Sequence, residues 1–272
     1  MTATPLTTPA LKPQKRSSLA WAIADTRAIA WRNLVTLRRM PQLLVFSTIQ
    51  PVIFVLMFRY VFGGAIRIPG IDYVNYLMPG IFAQTVTFGA IQTGIGLAED
   101  LHKGLIERFR SLPMTRSAVL AGRTLADLAR NVFVVALMIV VGYAVGFRVQ
   151  TGVLGLLAGV AVILLFGFSL TWIFAIIGLS APNAETAQAM SFPILAPLVF
   201  ASSAFVAVDT MPGWLQPFAT YQPVSVAVDA VRSLMLGGQF HDSARVVASL
   251  AWSIGIVAVF APVAVRVYRR TA

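Results

Sequence analysis

Six predominantly apolar runs of about twenty residues recur along the chain, over 43–62, 76–98, 125–147, 153–179, 190–208 and 246–267. About twenty such residues, coiled as a helix, cross a hydrocarbon core of roughly 30 Å. The pattern therefore predicts an all-α membrane protein of six spans. Between the second and third runs the polarity reverses sharply. Residues 99–113 hold Glu99, Asp100, His102, Lys103, Glu107, Arg108 and Arg110, too many charges for a bilayer interior. Read as one helix, this segment places Leu101, Leu105, Phe109 and Leu112 on a single face, with Ile106 beside them. Lys103, Glu107, Arg108 and Arg110 project elsewhere, and Lys103 with Glu107 forms an i,i+4 pair. Gly104 lies inside the stretch, and Pro113 ends it by restricting the residue before it. A short amphipathic helix held against a membrane face is a docking point for a soluble partner.

A second amphipathic stretch precedes the first span. Over 19–40, Leu19, Ile23, Ala30, Leu34 and Leu37 cluster on one helical face, opposite Asp25, Arg32, Thr36 and Arg39. Trp21 and Trp31 suit the headgroup boundary, so the expectation is an interfacial helix. Residues 1–18, with Pro5, Pro9 and Pro13, read as a disordered tail. Asp25, Arg27 and Arg32 interrupt any signal-peptide core. The six-span domain then occupies 41–272.

The stretch over 202–245 is too apolar for a free loop and too broken by proline for another pair of spans. Pro212-Gly213 marks a turn. Short helices dipping part-way into the outer leaflet are expected, with protein covering their irregular backbone.

Composition agrees with the pattern. The chain is 58% hydrophobic and 11% charged, with mean hydropathy +0.80, whereas soluble domains carry about 25% charged residues. Its net charge of +11 does not imply nucleic acid, because the basic residues flank the spans and form no stripe. An even number of spans puts both termini on one side. That side holds sixteen of the 21 Lys and Arg; Arg59, Arg67, Arg148, Arg232 and Arg245 remain for the other. Both termini and the 99–113 segment are therefore expected in the cytosol.

Chemistry is defined mainly by what the sequence lacks. There is no cysteine, and no G-x-x-x-x-G-K-[ST] phosphate-binding signature, so the chain is expected not to be an enzyme that hydrolyses nucleotide. His102 and His241 fall on opposite sides of the membrane and cannot share a metal. The ten acidic residues fall at span ends or in loops, which disfavours a proton-coupled secondary carrier of hydrophobic compounds, the main alternative. Asp127, four residues from Arg123 and three from Arg130, reads as an ion-paired helix start. Arg59 reads as a snorkelling residue. A membrane-embedded lipid enzyme would need a catalytic cluster, and none is legible. Phe and Met on several span faces would suit an adaptable hydrophobic path, and Gly155 with Gly159 would permit close helix packing.

Two long motifs resemble one family, the permease subunits of type-two ABC exporters, in the daunorubicin-resistance branch. The first runs from Lys103-Gly104-Leu105-Ile106-Glu107-Arg108-Phe109-Arg110 through Pro113 to Arg116, followed by Gly122-Arg123. It is similar to the family's cytosolic coupling segment. The second runs from Ser203 through Asp209, Pro212, Gly213, Trp214, Pro217 and Phe218 to Gln222-Pro223, Asp229, Arg232 and Gly237-Gly238. It is similar to the family's external re-entrant region.

The resemblance implies a half-transporter in the bacterial cytoplasmic membrane. Two permease chains, as a homodimer or heterodimer, would pair above two cytosolic ABC ATPase subunits that bind ATP and Mg. Lys103 to Arg110 would fit a cleft of the ATPase, and the membrane core would export a drug, an antibiotic or a lipid. The charge at Arg59 departs from the family pattern.

Overall fold

A computed structural model describes residues 24–32, 35, 41–66, 68–104 and 116–271. Nine α-helices and no strand occur among these residues; an isolated bridge joins Ile68 to Ile71. Helix α1 covers 24–32. It is followed by α2 (Pro41–Leu56), which continues as a π turn (Met57–Phe62), then α3 (Tyr73–His102) and α4 (Arg116–Ala144). Next come α5 (Gly152–Ser180), α6 (Ala184–Phe200), α7 (Gln216–Tyr221), α8 (Pro223–Leu236) and α9 (Ser243–Thr271).

Four helices are long and apolar enough to cross a membrane: α3, α4 over Leu120–Ala144, α5 and α9. A shorter apolar helix spans Thr48–Phe62. The predicted fifth run differs most from the observed helix. Helix α6 begins earlier because Asn183 caps it, its side chain accepting the Thr186 N–H at 2.8 Å. It ends at Phe200, well before the predicted 208. There Ser202 Oγ donates to the Val199 carbonyl at 2.6 Å and accepts the Ala204 N–H at 3.1 Å, turning the chain aside.

Helix α3 is the hub. It has apolar residues on every side, as a helix enclosed by others should, and it packs chiefly on α5, α6, α4 and α8. The α3–α5 crossing is close enough that a Cβ on Gly178 would meet the Gly94 carbonyl, and one on Gly94 the Phe174 carbonyl. Gly155 and Gly159, paired in the sequence by spacing, bring α5 against Leu234 and Met235 of α8. Of the Phe and Met residues on the predicted path, Phe82, Met138 and Phe166 are fully buried in the core, whereas Phe192 and Phe200 are exposed.

The apolar face of α1 meets protein. Ile29 is buried against Gly122 of α4, in a cluster with Leu97, Leu120, Trp172, Leu179, Ala264 and Tyr268. Trp31, 69% exposed, points away from that contact. The helix is thus docked on the bundle rather than resting on lipid alone. Leu19, Trp21, Ile23, Leu34 and Leu37 lie outside the described residues.

Candidate functional site

At one end of the bundle, Leu97 near the end of α3 packs in one cluster with Leu120 of α4 and Tyr268 of α9, whose last turn carries Arg269 and Arg270. This is the basic end. The sequence predicts an unbroken helix over 99–113, and the structure corrects that expectation. Helix α3 itself runs through Glu99 to His102 and stops there. Gly104 then adopts φ 65°, a left-handed conformation that β-carbon residues resist, with its N–H on the Leu101 carbonyl at 3.0 Å. Lys103 pairs backward with Glu99 at 2.6 Å. Its hydrogen bond to that carboxylate, and the charge, hold the ammonium above the usual lysine range. The forward partner Glu107, with Leu105, Ile106, Arg108, Phe109, Arg110 and Pro113, lies outside the described residues.

A ladder of charges rises from this turn into the bundle. Arg123 Nη1 donates to Asp100 Oδ2 at 2.7 Å and to the Gly96 carbonyl at 3.3 Å. Asp127 lies 3.7 Å from Arg123 Nε and 3.3 Å from Arg130 Nη1, and accepts Thr93 Oγ1 at 2.7 Å. Arg130 Nη2 closes the series on the Gly89 carbonyl at 2.8 Å. Gly89, Thr93, Gly96 and Asp100 recur at i, i+4, i+7 and i+11, one face of α3. The Arg123–Asp127–Arg130 pairing matches its sequence reading. Its position does not: α4 begins at Arg116, so Asp127 sits three turns inside the helix and is 5% exposed. A buried carboxylate is therefore present where the sequence placed all ten acids at ends or in loops.

The opposite end is built around α8. Gln222 caps it, accepting the Val224 N–H at 2.9 Å, and Gln222 Nε2 reaches back to the Leu198 carbonyl at 3.0 Å. Most of α8 is buried, whereas α7 has only Ala219 buried. Arg232, counted in the sequence among the charges of the outer side, is 2% exposed. Its Nε and Nη2 donate to the Tyr76 carbonyl at 3.1 and 3.0 Å. Nη2 also reaches the Ser203 and Ala204 carbonyls at 2.7 and 3.3 Å, and Nη1 reaches Asp229 Oδ1 at 3.1 Å. The guanidinium carbon lies 3.5 Å from the centroid of the Tyr76 ring.

This cage forms one wall of a cavity of about 460 Å³, also lined by Val208, Thr220, Phe240, Asp242 and Arg245. Arg245 Nη1 donates to the Thr220 carbonyl at 2.8 Å, and Asp242 Oδ1 caps α9 through the Arg245 N–H at 3.1 Å.

The residues chosen from the sequence lie beside the cavity, not on it. Pro212-Gly213 is a turn, closed by the Leu215 N–H on the Pro212 carbonyl at 2.8 Å. Trp214 at its tip is 80% exposed. Asp209, Pro217 and Phe218 are also exposed. The cavity residues Tyr76, Ser203, Asp229 and Arg232 are scattered over three elements. Ser203, Asp229 and Arg232 stand in the second of the two long motifs, and Asp229 with Arg232 has pairing spacing on a helix, but no sequence signal joins them to Tyr76.

Comparison with known proteins bears on both ends at once. The family model described as ABC-2 type transporter matches residues 24–236, which includes both the charge ladder and the Arg232 cage. The chain belongs to the ABC-2 type transporter family. The daunorubicin resistance ABC transporter permease protein DrrB1 of Streptomyces coeruleorubidus is 39% identical over 260 residues, 95% of this chain and 91% of the relative. The doxorubicin resistance ABC transporter permease protein DrrB of Mycobacterium tuberculosis is 27% identical over 192 residues, 71% of this chain and 65% of the relative. With four helices long and apolar enough to cross a membrane, this ABC-2 family member is a multi-pass membrane protein.

Proposed function

We propose that the chain is the transmembrane subunit of an ATP-driven exporter of hydrophobic or amphipathic molecules, a drug, an antibiotic or a lipid. The observation that carries this reading is the 39% identity to a daunorubicin resistance permease over 95% of the chain. The chain supplies no nucleotide chemistry; a separate cytosolic ABC ATPase, holding ATP and Mg, drives it, and a second permease chain completes the path. In this reading α2 with its π turn and α6 complete six spans. The basic end faces the cytosol and the α8 end the exterior of a bacterial cytoplasmic membrane. The segment from Lys103 to Arg110 seats in the ATPase. The Gly104 turn supports this by ending α3 at the basic end, directly before the rest of that segment. The ladder above it gives the joint a rigid connection to the interior.

Asp127 favours attention to the secondary-carrier alternative, because a buried carboxylate is what proton coupling uses. Its oxygens, however, already face Thr93, Arg123 and Arg130.

A mild-detergent pull-down of the tagged chain, run beside measurement of cellular doxorubicin accumulation, tests the reading. A co-purifying ATPase and lowered accumulation are expected. ATPase-free preparations with export driven by a proton gradient would establish the carrier instead. Glu107→Lys is expected to express normally yet lose export, since it reverses a charge at the joint; unimpaired export at equal expression would remove the coupling assignment. Trp214→Ala is expected to change doxorubicin export and leave ATPase co-purification intact, and loss of the ATPase from that variant would contradict the topology.

A further inference from the structure

Two of the long apolar helices begin at the cavity: Tyr76 in the first turn of α3 and Arg245 in the first turn of α9 both line it. At 30 and 29 residues these helices are about 45 Å long, the thickness of a bilayer with its headgroup layers included. Their first turns therefore lie at headgroup height. The short helix α7 lends Thr220 to the cavity, and Trp214, Phe218 and Tyr221 stand exposed beside it. Such aromatic residues gather where a membrane meets water.

Four charged side chains line this space, and the fold uses them unequally. Arg232 is fully engaged, through Nε, Nη1 and Nη2. Asp229 gives Oδ1 to Arg232 and Ser203, while its Oδ2 has no hydrogen bond among the described residues. Asp242 gives Oδ1 to the Arg245 N–H, and its Oδ2 lies 4.0 Å from Arg245 Nε, beyond hydrogen-bond range. Arg245 commits Nη1 to the Thr220 carbonyl, and its Nη2 is unengaged among the described residues. Two carboxylate oxygens and one guanidinium edge are left to the cavity. A lone cation there would face Arg245, and a lone anion would face Asp229 and Asp242. A ligand carrying both charges meets a partner for each.

We propose that the cavity binds the headgroup of a zwitterionic aminophospholipid, of which phosphatidylethanolamine is the simplest. Its ammonium donates to Asp229 and Asp242, and its phosphate accepts from Arg245. A primary ammonium brings three N–H donors to these oxygens, whereas a trimethylammonium brings none. A choline head would look instead for open aromatic faces, and one face of Tyr76 is already covered by the Arg232 guanidinium at 3.5 Å. Phe218 and Tyr221, on the same short helix as Thr220, offer apolar surface to the acyl chains. The site requires a bilayer but neither ATPase nor cargo, so it stands apart from the exporter reading.

The purified chain, stripped of lipid in mild detergent, is titrated with phosphatidylethanolamine, phosphatidylcholine and phosphatidylglycerol of identical acyl chains. Bound lipid is counted by native mass spectrometry. Phosphatidylethanolamine is expected to bind about tenfold more tightly than either of the others. Asp242→Asn keeps a side-chain oxygen to cap α9 and removes the charge. That variant and Arg245→Gln are each expected to lose the preference. Arg148→Gln, at the same end of the bundle but outside the cavity lining, is expected to bind all three lipids as the parent does.

Equal affinity for the three lipids would overturn the site, as would a preference that survives both cavity variants. Tighter binding of phosphatidylglycerol would mean an anion site at Arg245 and would overturn the zwitterion. Glycerophosphoethanolamine, the head without its chains, is expected to compete only weakly. Competition as strong as that of the lipid would overturn the lipid source and assign a soluble zwitterion instead. Should Arg245→Gln fail to fold, Asp242→Asn and the comparison among lipids decide the outcome.

Discussion

Asp127→Ala is expected to cost about 3–5 kcal/mol of stability, the range measured when one partner of a buried ion pair is removed. The variant leaves Arg130 with only the Gly89 carbonyl, and Arg123 with Asp100 and the Gly96 carbonyl. Thr93 loses its acceptor as well. Two cations then sit against α3 with one carboxylate between them. The check is the fraction of monodisperse protein remaining on size exclusion after heating in mild detergent. Asp127→Asn combined with Arg130→Gln removes both charges of one rung and is expected to recover much of the loss. An unchanged melting profile for Asp127→Ala would show that the ladder does not hold α3 to α4. The ladder is also the stiff connection invoked between the joint and the interior. Export by the Asn/Gln double variant should therefore fall further than its stability does.

Gly178→Ala is expected to be as severe, about 3 kcal/mol or more, whereas Gly159→Ala is expected to cost about 1 kcal/mol. Both positions lie on α5 and face a neighbouring helix. At Gly178 the added methyl would overlap the Gly94 backbone, and neither helix can yield without moving the crossing on which the core is built. At Gly159 the methyl would lie 2.8 Å from Met235 Cε and 2.9 Å from its Cγ, part of a flexible side chain that can turn aside. Expression and thermal profiles of the two variants side by side give the comparison. Equal, mild losses at both sites would mean that the α3–α5 approach is looser than the structure shows.

The four long apolar helices were legible because a bilayer imposes a length and a polarity that mark a crossing stretch. Residues 76–98 and 153–179 fall inside α3 and α5 with only a few residues added at each end. Where a boundary depends on distant contacts, the pattern misleads. Apolarity continues past Phe200, yet the helix stops: the Ser203 carbonyl is taken by Arg232, 29 residues on, and the Phe205 and Ser203 carbonyls by Tyr73 and Tyr76, more than a hundred residues back in sequence. The 99–113 segment was misread as one helix for the opposite reason. A single glycine at positive φ outweighs a convincing amphipathic pattern.

Charged side chains show the same division. Counting Lys and Arg by side needs only the chain order, and Arg123, Arg130 and Arg232 were tallied as flanking charges on that basis. Chain order and polarity suffice to read a helical membrane protein with a strongly basic end, and two long motifs point to its family. That Arg232 is buried, that Arg123 and Arg130 are half-buried, and what each one holds follow from contacts between helices. A charge is tolerated inside an apolar bundle when partners from other helices meet it, and adjacency between helices is not written in local composition.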